Sequence, residues 1–337
     1  MTVTAGVVGL GFGEKVHVPG LRRAGAEVVA VCARHGAAEA AQRLGVPAAH
    51  PDWRALVADD GIRLVSIASP PATHHEIALA ALAARKAVLC EKPLAVTAEE
   101  AEELAAAARV AGVPTLVDFE FRTVPAFGRA HELLGELGRV REAEVTWTLA
   151  SRKGLLPPSW KDDRALGGGT LLSLGVHSFD YLEWYLGPVA RVRGRLEHAA
   201  GPGSDTGCEA ELELASGASA RVTLSAAAAD PQGHVVTLRG ERGTLVLENR
   251  DLTDYMRAFR LELAGPRPAT FEPEPTGEDG RLAPFAALAR RIVDAVRTGG
   301  TAVPSFEEGL RAQVIAAAVD ESHRTGAWVS VGPDPQV

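Results

Sequence analysis

A strand that breaks into a glycine-rich corner and restarts as a helix constrains this chain more than any other feature. Residues Val3–Val8 are apolar and strand-like, Gly9-Leu10-Gly11-Phe12-Gly13 follows at once, and helical spacing runs from Gly13 to about Ala24. The same alternation repeats. Strands are predicted over 28–32, 64–68, 87–90 and 114–119, and helices over 36–44, 53–58, 75–86 and 97–110. Gly45 is placed to stop the second helix, Asp52 to cap the third, and Thr97 with Glu100 to form a capping box. Repeated β-α-β units with short connections imply a parallel sheet covered on both faces.

The rhythm changes after about residue 124. A helix over 125–137 leads to a long strand over 140–149 and a polar loop over 151–164. Gly167-Gly168-Gly169 then opens a helix to about 186. Strand-like runs at 190–197, 208–214, 218–226, 235–239 and 244–248, joined by tight turns, predict a mostly antiparallel sheet. Residues 266–280 read as a surface excursion, and helices are expected over 283–298 and 306–324. The expected fold class is therefore α/β. A doubly wound Rossmann domain over 1–124 precedes an α+β domain over 125–337, whose tail helix is free to pack back on the first.

A length of 337 residues fits two domains, and 46% hydrophobic residues supply two cores. The net charge of −8 argues against a general nucleic-acid binder, which needs a cationic face. Cys32, Cys90 and Cys208 are too scattered for a disulfide framework or a metal-ligand set, so no metal is expected. No segment approaches the roughly 20 apolar residues of a membrane span, and no basic leader precedes the first strand. The cytoplasm is the expected location.

A Gly-x-Gly-x-x-Gly turn lets the backbone approach a pyrophosphate at a helix N-terminus. Gly9 and Gly11 fit that role. The sixth position is Glu14, so the close-packing duty falls to Gly13. An acid at the end of the second strand would bind the ribose hydroxyls. The chain has Cys32-Ala33-Arg34-His35 there instead. A guanidinium suited to a 2′-phosphate favours NADP(H) over NAD(H), with adenine stacking or solvent exposure as other uses of Arg34. Lys92, in Glu91-Lys92-Pro93 after the apolar run 87–90, stands at the carboxyl end of a strand, where ligands of such sheets bind. A lysine ammonium there suits an alkoxide that must be protonated. Pairing with Glu91 is the plainer alternative.

These motifs, together with Pro70-Pro71-Ala72-Thr73-His74, Cys90-Glu91-Lys92-Pro93-Leu94-Ala95 and Gly175-Val176-His177-Ser178-Phe179-Asp180, resemble the Gfo/Idh/MocA family of oxidoreductases. The resemblance runs through nearly the whole chain, out to Pro304-Ser305-Phe306-Glu307-Glu308-Gly309-Leu310. It implies hydride transfer between NAD(H) or NADP(H) and a carbinol or ketone of a small sugar-like or cyclitol substrate. It also implies assembly of copies through the second-domain sheet. Lys92 and His177 become the catalytic candidates. Gly9, Gly11, Phe12, Gly13, Arg34, Ser69, Pro70, His74, Glu91 and Lys92 become the cofactor candidates, and His74 is equally a simple helix-start residue. Arg122, Trp160, Ser173 and Asp180 are candidates for substrate contact. Arg122 is equally an interdomain salt bridge, and Asp180 is placed to polarise His177.

The chain departs from the family in one respect. Ser173 stands where an aspartate is usual four residues before the histidine, which points to a ketoreductase relying on Lys92. Two other readings stay open. One is elimination or glycosidic cleavage by transient oxidation. The other is a silent dinucleotide-binding protein.

Overall fold

The computed structural model describes residues 2–151, 159–198, 203–251, 254, 256, 258–274 and 277–332. They form two compact units, Met1–Glu120 with Arg281–Leu310, and Phe121–Gly280 with Arg311–Val337.

The first unit is a six-stranded parallel sheet. Its strands are β1 (Val3–Val8), β2 (Ala26–Cys32), β3 (Ala48–His50), β4 (Leu64–Ile67), β5 (Ala87–Cys90) and β6 (Thr115–Val117). Their spatial order, β3-β2-β1-β4-β5-β6, reverses between β1 and β4, the switch point at which doubly wound sheets bind dinucleotides. The connecting helices are α1 (Val18–Arg23), α2 (Ala37–Leu44), α3 (Trp53–Ala58), α4 (His74–Ala83) and α5 (Ala98–Ala111). A wide π turn, Gly13–His17, precedes α1. The expected caps are present. Gly45 ends α2 in the left-handed region, the Asp52 carboxylate accepts from the Arg54 amide, and Thr97 and Glu100 cap α5 reciprocally.

The expected boundary at residue 124 needs one correction. Helix Leu282–Thr298 belongs to the first unit, because Phe285, Leu288, Ala289, Ile292 and Val293 are buried in one core with Val3, Ala5, Val7 and Leu21. Gly20 permits this packing, since a Cβ there would lie 2.3 Å from the Phe285 ring. Phe306–Leu310, the start of helix Phe306–Thr325, also belongs to this unit.

The second unit holds α6 (Pro125–Leu133), α7 (Val176–Leu186) and nine strands. These are β7 (Val140–Ala150), β8 (Val189–His198), β9 (Asp205–Leu214), β10 (Ser219–Ala228), β11 (Gly233–Gly240), β12 (Thr244–Asn249), β13 (Arg260–Ala264), β14 (Ala269–Phe271) and β15 (Val329–Ser330). Their order is β14-β13-β12-β11-β7-β10-β9-β8-β15, antiparallel except for the β7–β10 pair. β14 lies inside the segment expected to be a bare excursion.

Strict alternation divides the faces of the sheet. Val145, Trp147, Leu212, Val222, Leu224, Val236 and Leu247 are buried. On the other face Arg191 faces Glu213 and Arg193 faces Glu211 across β8 and β9, at 2.7 Å each. Solvent screens exposed pairs of this kind, so the apolar face and not the charge ladder holds the sheet.

Candidate active site

The glycine turn divides its duties as a nucleotide site requires. Gly9 has φ +97°, and a Cβ on it would lie 2.5 Å from the Ala68 carbonyl and 2.6 Å from the Ser69 nitrogen. Only glycine fits between β1 and the loop after β4. A Cβ on Gly11 would meet nothing within 4 Å, so open space lies beside the backbone where a pyrophosphate would be received. Gly13 packs against Val7 and Ala68, and it supplies the helix–strand approach expected of it. Glu14 does not spoil the turn, because Arg43 binds its carboxylate through two nitrogens at 3.0 and 3.1 Å. These residues fit a dinucleotide. Phe12 is half-buried, with the Arg281 guanidinium 5.1 Å from its ring centre. Arg34, two residues past β2, is exposed.

Lys92 leaves β5 half-buried, between Glu91 and a cis Pro93. Beneath it lies a network that sequence reasoning missed. His17, fully buried on the wide turn, places Nε2 3.0 Å from Glu91 Oε1 and Nδ1 2.7 Å from Ser66 Oγ. Its ring lies 4.3 Å from Phe285 and edge-on to Phe12. Asp118, just after β6, lies 3.9 Å from His17 Nε2 and shares a hydrogen bond with Glu91. The ligand-type atoms of His17, Glu91 and Asp118 lie within 4.8 Å of one another, close enough to hold a cation. Hydrogen bonding accounts for the approach without one.

Burial, then the Glu91 and Glu120 charges, push the Asp118 carboxyl well above its ordinary range. Burial also pushes Glu91 up, but the His17 hydrogen bond and charge, the Asp118 hydrogen bond and the Lys92 charge hold it below the usual carboxylate range. The two carboxyls are thus pushed apart, Asp118 toward its protonated form and Glu91 toward its ionised form.

An acid whose folded pKa is raised stabilises the fold below its unfolded pKa, and that contribution is lost as pH rises through the folded value. Asp118→Asn keeps a donor toward Glu91 and removes the titration. We expect denaturation midpoints of wild type to fall relative to those of Asp118→Asn as pH rises above the ordinary carboxylate range. Parallel pH profiles for the two proteins would refute a proton on Asp118.

His74 begins α4 and is fully buried. Its Nδ1 lies 2.9 Å from the Pro93 carbonyl oxygen and its Nε2 2.8 Å from the Ser69 carbonyl oxygen. Both ring nitrogens face main-chain carbonyl oxygens. Burial pushes its pKa down, while the two carbonyls and the Glu91 charge oppose that shift. Ser69 Oγ lies 2.7 Å from Thr73 Oγ1, which donates to the Pro70 carbonyl. That loop is therefore braced against α4.

In the second unit, Gly167, Gly168 and Gly169 fold under the turn that carries Trp160 and Lys161. The Gly169 amide donates to the Lys161 carbonyl at 3.1 Å, and a Cβ on Gly168 would lie 2.4 Å from that oxygen. Trp160 is half-buried with the Lys161 ammonium 5.7 Å from its ring centre; residues 152–158 of the same loop lie outside the described residues. Buried Asp205 accepts from the Leu171 amide at 2.7 Å and anchors the helix start. Ser173 is half-buried on a second π turn, Leu171–Gly175. π turns are rare and recur at functional sites.

His177 follows on α7, 3% exposed and edge-on to Phe121. Asp180 and Arg122 were expected at substrate. The structure places them in a buried bidentate pair at 2.7 and 2.9 Å. Both belong to the second unit.

A switch-point sheet with a glycine turn, joined to a large mostly antiparallel sheet, defines a dinucleotide-binding protein of two-domain type. Two family models refine that class. "Oxidoreductase family, NAD-binding Rossmann fold" matches residues 3–119, and the Gfo/Idh/MocA C-terminal domain matches 129–246. The chain belongs to the Gfo/Idh/MocA family. It is 33% identical to an uncharacterized oxidoreductase of Synechocystis sp., covering 98% of this chain and 96% of that one. It is 32% identical to D-xylose 1-dehydrogenase (NADP(+)) 2 of Haloferax volcanii, covering 97% and 99%. A solved levoglucosan dehydrogenase in complex with NADH and levoglucosan matches with TM-score 0.90 at 25% identity, covering 99% and 100%. Among the described residues, no helix is long and apolar enough to cross a membrane.

Proposed function

We propose that this protein is an NAD(P)(H)-dependent oxidoreductase acting on a carbinol or ketone of a small sugar-like or cyclitol substrate, with NADP(H) preferred. The observation that carries this reading is Lys92. It stands at the carboxyl end of β5, beyond a buried hydrogen-bond network, in the same unit as a glycine turn shaped for a pyrophosphate. The sugar dehydrogenases among the relatives support the substrate class.

A nicotinamide dinucleotide held at the Gly9–Gly13 turn would supply or accept the hydride. Lys92 holds its ammonium beside the substrate oxygen, stabilises the charge that develops there and donates the proton. His17 and Asp118 fix the Glu91 carboxylate, which keeps the segment carrying Lys92 in place. His177 and Ser173 bind neighbouring hydroxyls of the substrate. Ser173 cannot serve as a carboxylate base, so Lys92 carries the proton in either direction.

The test is titration with NADPH and NADH, then a panel of keto-sugars, aldoses and cyclitols at saturating nucleotide. Turnover with stoichiometric change in nucleotide absorbance is expected. Turnover without net absorbance change would assign transient oxidation and elimination instead. Binding without turnover would assign a silent nucleotide-binding protein. Sedimentation velocity would test assembly through the second-unit sheet, and a monomer at micromolar concentration would refute it.

Cofactor choice has its own test. Removing a charge-assisted contact to a 2′-phosphate costs about 1.5–3 kcal/mol, so Arg34→Ala should weaken NADPH about tenfold to a hundredfold. NADH should be almost unaffected. Equal weakening of both would show that Arg34 does not read the phosphate.

A further inference from the structure

The strongest unassigned feature is the pair of acceptors around His74. Its Nδ1 faces the Pro93 carbonyl at 2.9 Å and its Nε2 faces the Ser69 carbonyl at 2.8 Å, in a ring with no exposure. Carbonyl oxygens only accept. A neutral imidazole carries one N–H, so one of these contacts would set a nitrogen lone pair against an oxygen lone pair. Only the doubly protonated ring satisfies both.

The surroundings are mixed. Burial opposes the charge most strongly and lowers the ring's pKa, and His17, on the turn before α1, opposes it further; the Ser69 and Pro93 carbonyls and then the Glu91 charge, just past β5, favour it. A buried cation is retained where hydrogen bonds satisfy it, and here each N–H has an acceptor within 3 Å.

The two carbonyls belong to the two segments that matter most. Ser69 is the wall against which Gly9 is pressed, within 2.6 Å of a Cβ built there. Pro93 follows Lys92 directly. We propose that His74 is a positioning residue, held as an imidazolium, whose two N–H groups tie the wall of the glycine turn to the segment carrying Lys92. This sets the height of the lysine relative to the bound nucleotide. The catalytic consequence rests on the function proposed above, but the protonation state does not.

The direct test uses the full-length protein with 15N-labelled histidine. Long-range proton–nitrogen correlation spectra at pH 7 should show both His74 nitrogens in the protonated range. The signal is assigned by its loss in His74→Gln, or by NOEs to Pro93 should that variant not fold. One protonated and one bare nitrogen would overturn the proposal.

Kinetics supply the second arm. Displacement of a reacting group by an ångström lowers rates by up to about a hundredfold, so His74→Gln, with one donor group, should lose about tenfold to a hundredfold in kcat. Its NADPH Kd should change far less, and the alkaline limb of its pH–rate profile should move. A variant with wild-type kcat and pH profile would overturn the positioning role. An imidazolium signal in a protein that turns over no substrate would leave the tie standing and sink the proposed function alone.

Discussion

Lys92→Ala should abolish turnover while leaving the nucleotide site intact. General acid–base groups contribute about 10²–10⁴-fold, so kcat should fall by that factor at saturating substrate. NADPH Kd, read by fluorescence titration, should stay close to wild type. The glycine turn is built from Gly9, Gly11, Gly13 and the loop after β4, none of which needs the lysine side chain. Lys92→Arg separates charge from proton transfer. It retains a cation beside the developing alkoxide but holds its proton too tightly to exchange it near neutral pH. Lys92→Arg should therefore recover substrate binding better than turnover. Wild-type kcat in Lys92→Ala would remove the lysine from the chemistry and leave it as a partner of the Glu91 network.

That network explains where the sequence speaks and where it is silent. The parallel sheet is legible because its strands are short apolar runs bounded by glycines and caps, all local signals. β3, β14 and β15 have two or three residues each, too few for a period to register. The assignment of Gly13 to close packing follows from spacing alone, and the structure agrees.

His17 is different. Its helix position gives no hint that it meets Ser66 and Glu91, which are 49 and 74 residues away. Its one local signal is a histidine on an otherwise apolar face, Val16 and Val18 being fully buried beside it. His74 shows the same limit from the other side. The motif draws attention to it as a ligand contact, and only the fold reveals that carbonyls take both its nitrogens. The return of helix Leu282–Thr298 to the first unit is equally hidden. Periodicity shows that the helix buries a face, not which sheet the face meets.

Asp180→Ala should be among the most destabilising single changes in the second unit. The Arg122 guanidinium donates Nε and Nη2 to the two Asp180 oxygens, with side chains 8% and 1% exposed. Removing the carboxylate takes two charge-assisted acceptors from a buried cation while the ring of Trp184 stays 5.7 Å away. Breaking a buried pair from one side costs about 3–5 kcal/mol, because the surviving charge is poorly solvated. Water reaches little of this site, so relaxation should recover only part of that loss. Asp180→Asn, which keeps one acceptor, should fall between wild type and alanine. Replacing both partners, as in Arg122→Met with Asp180→Leu, removes the buried cation along with its carboxylate. It should restore most of the lost stability, giving a coupling of opposite sign to the single losses. Chemical denaturation of wild type, Arg122→Met, Asp180→Leu and the double variant closes the cycle. Additive losses in the double variant would show that Arg122 and Asp180 act separately, despite a geometry in which each completes the other.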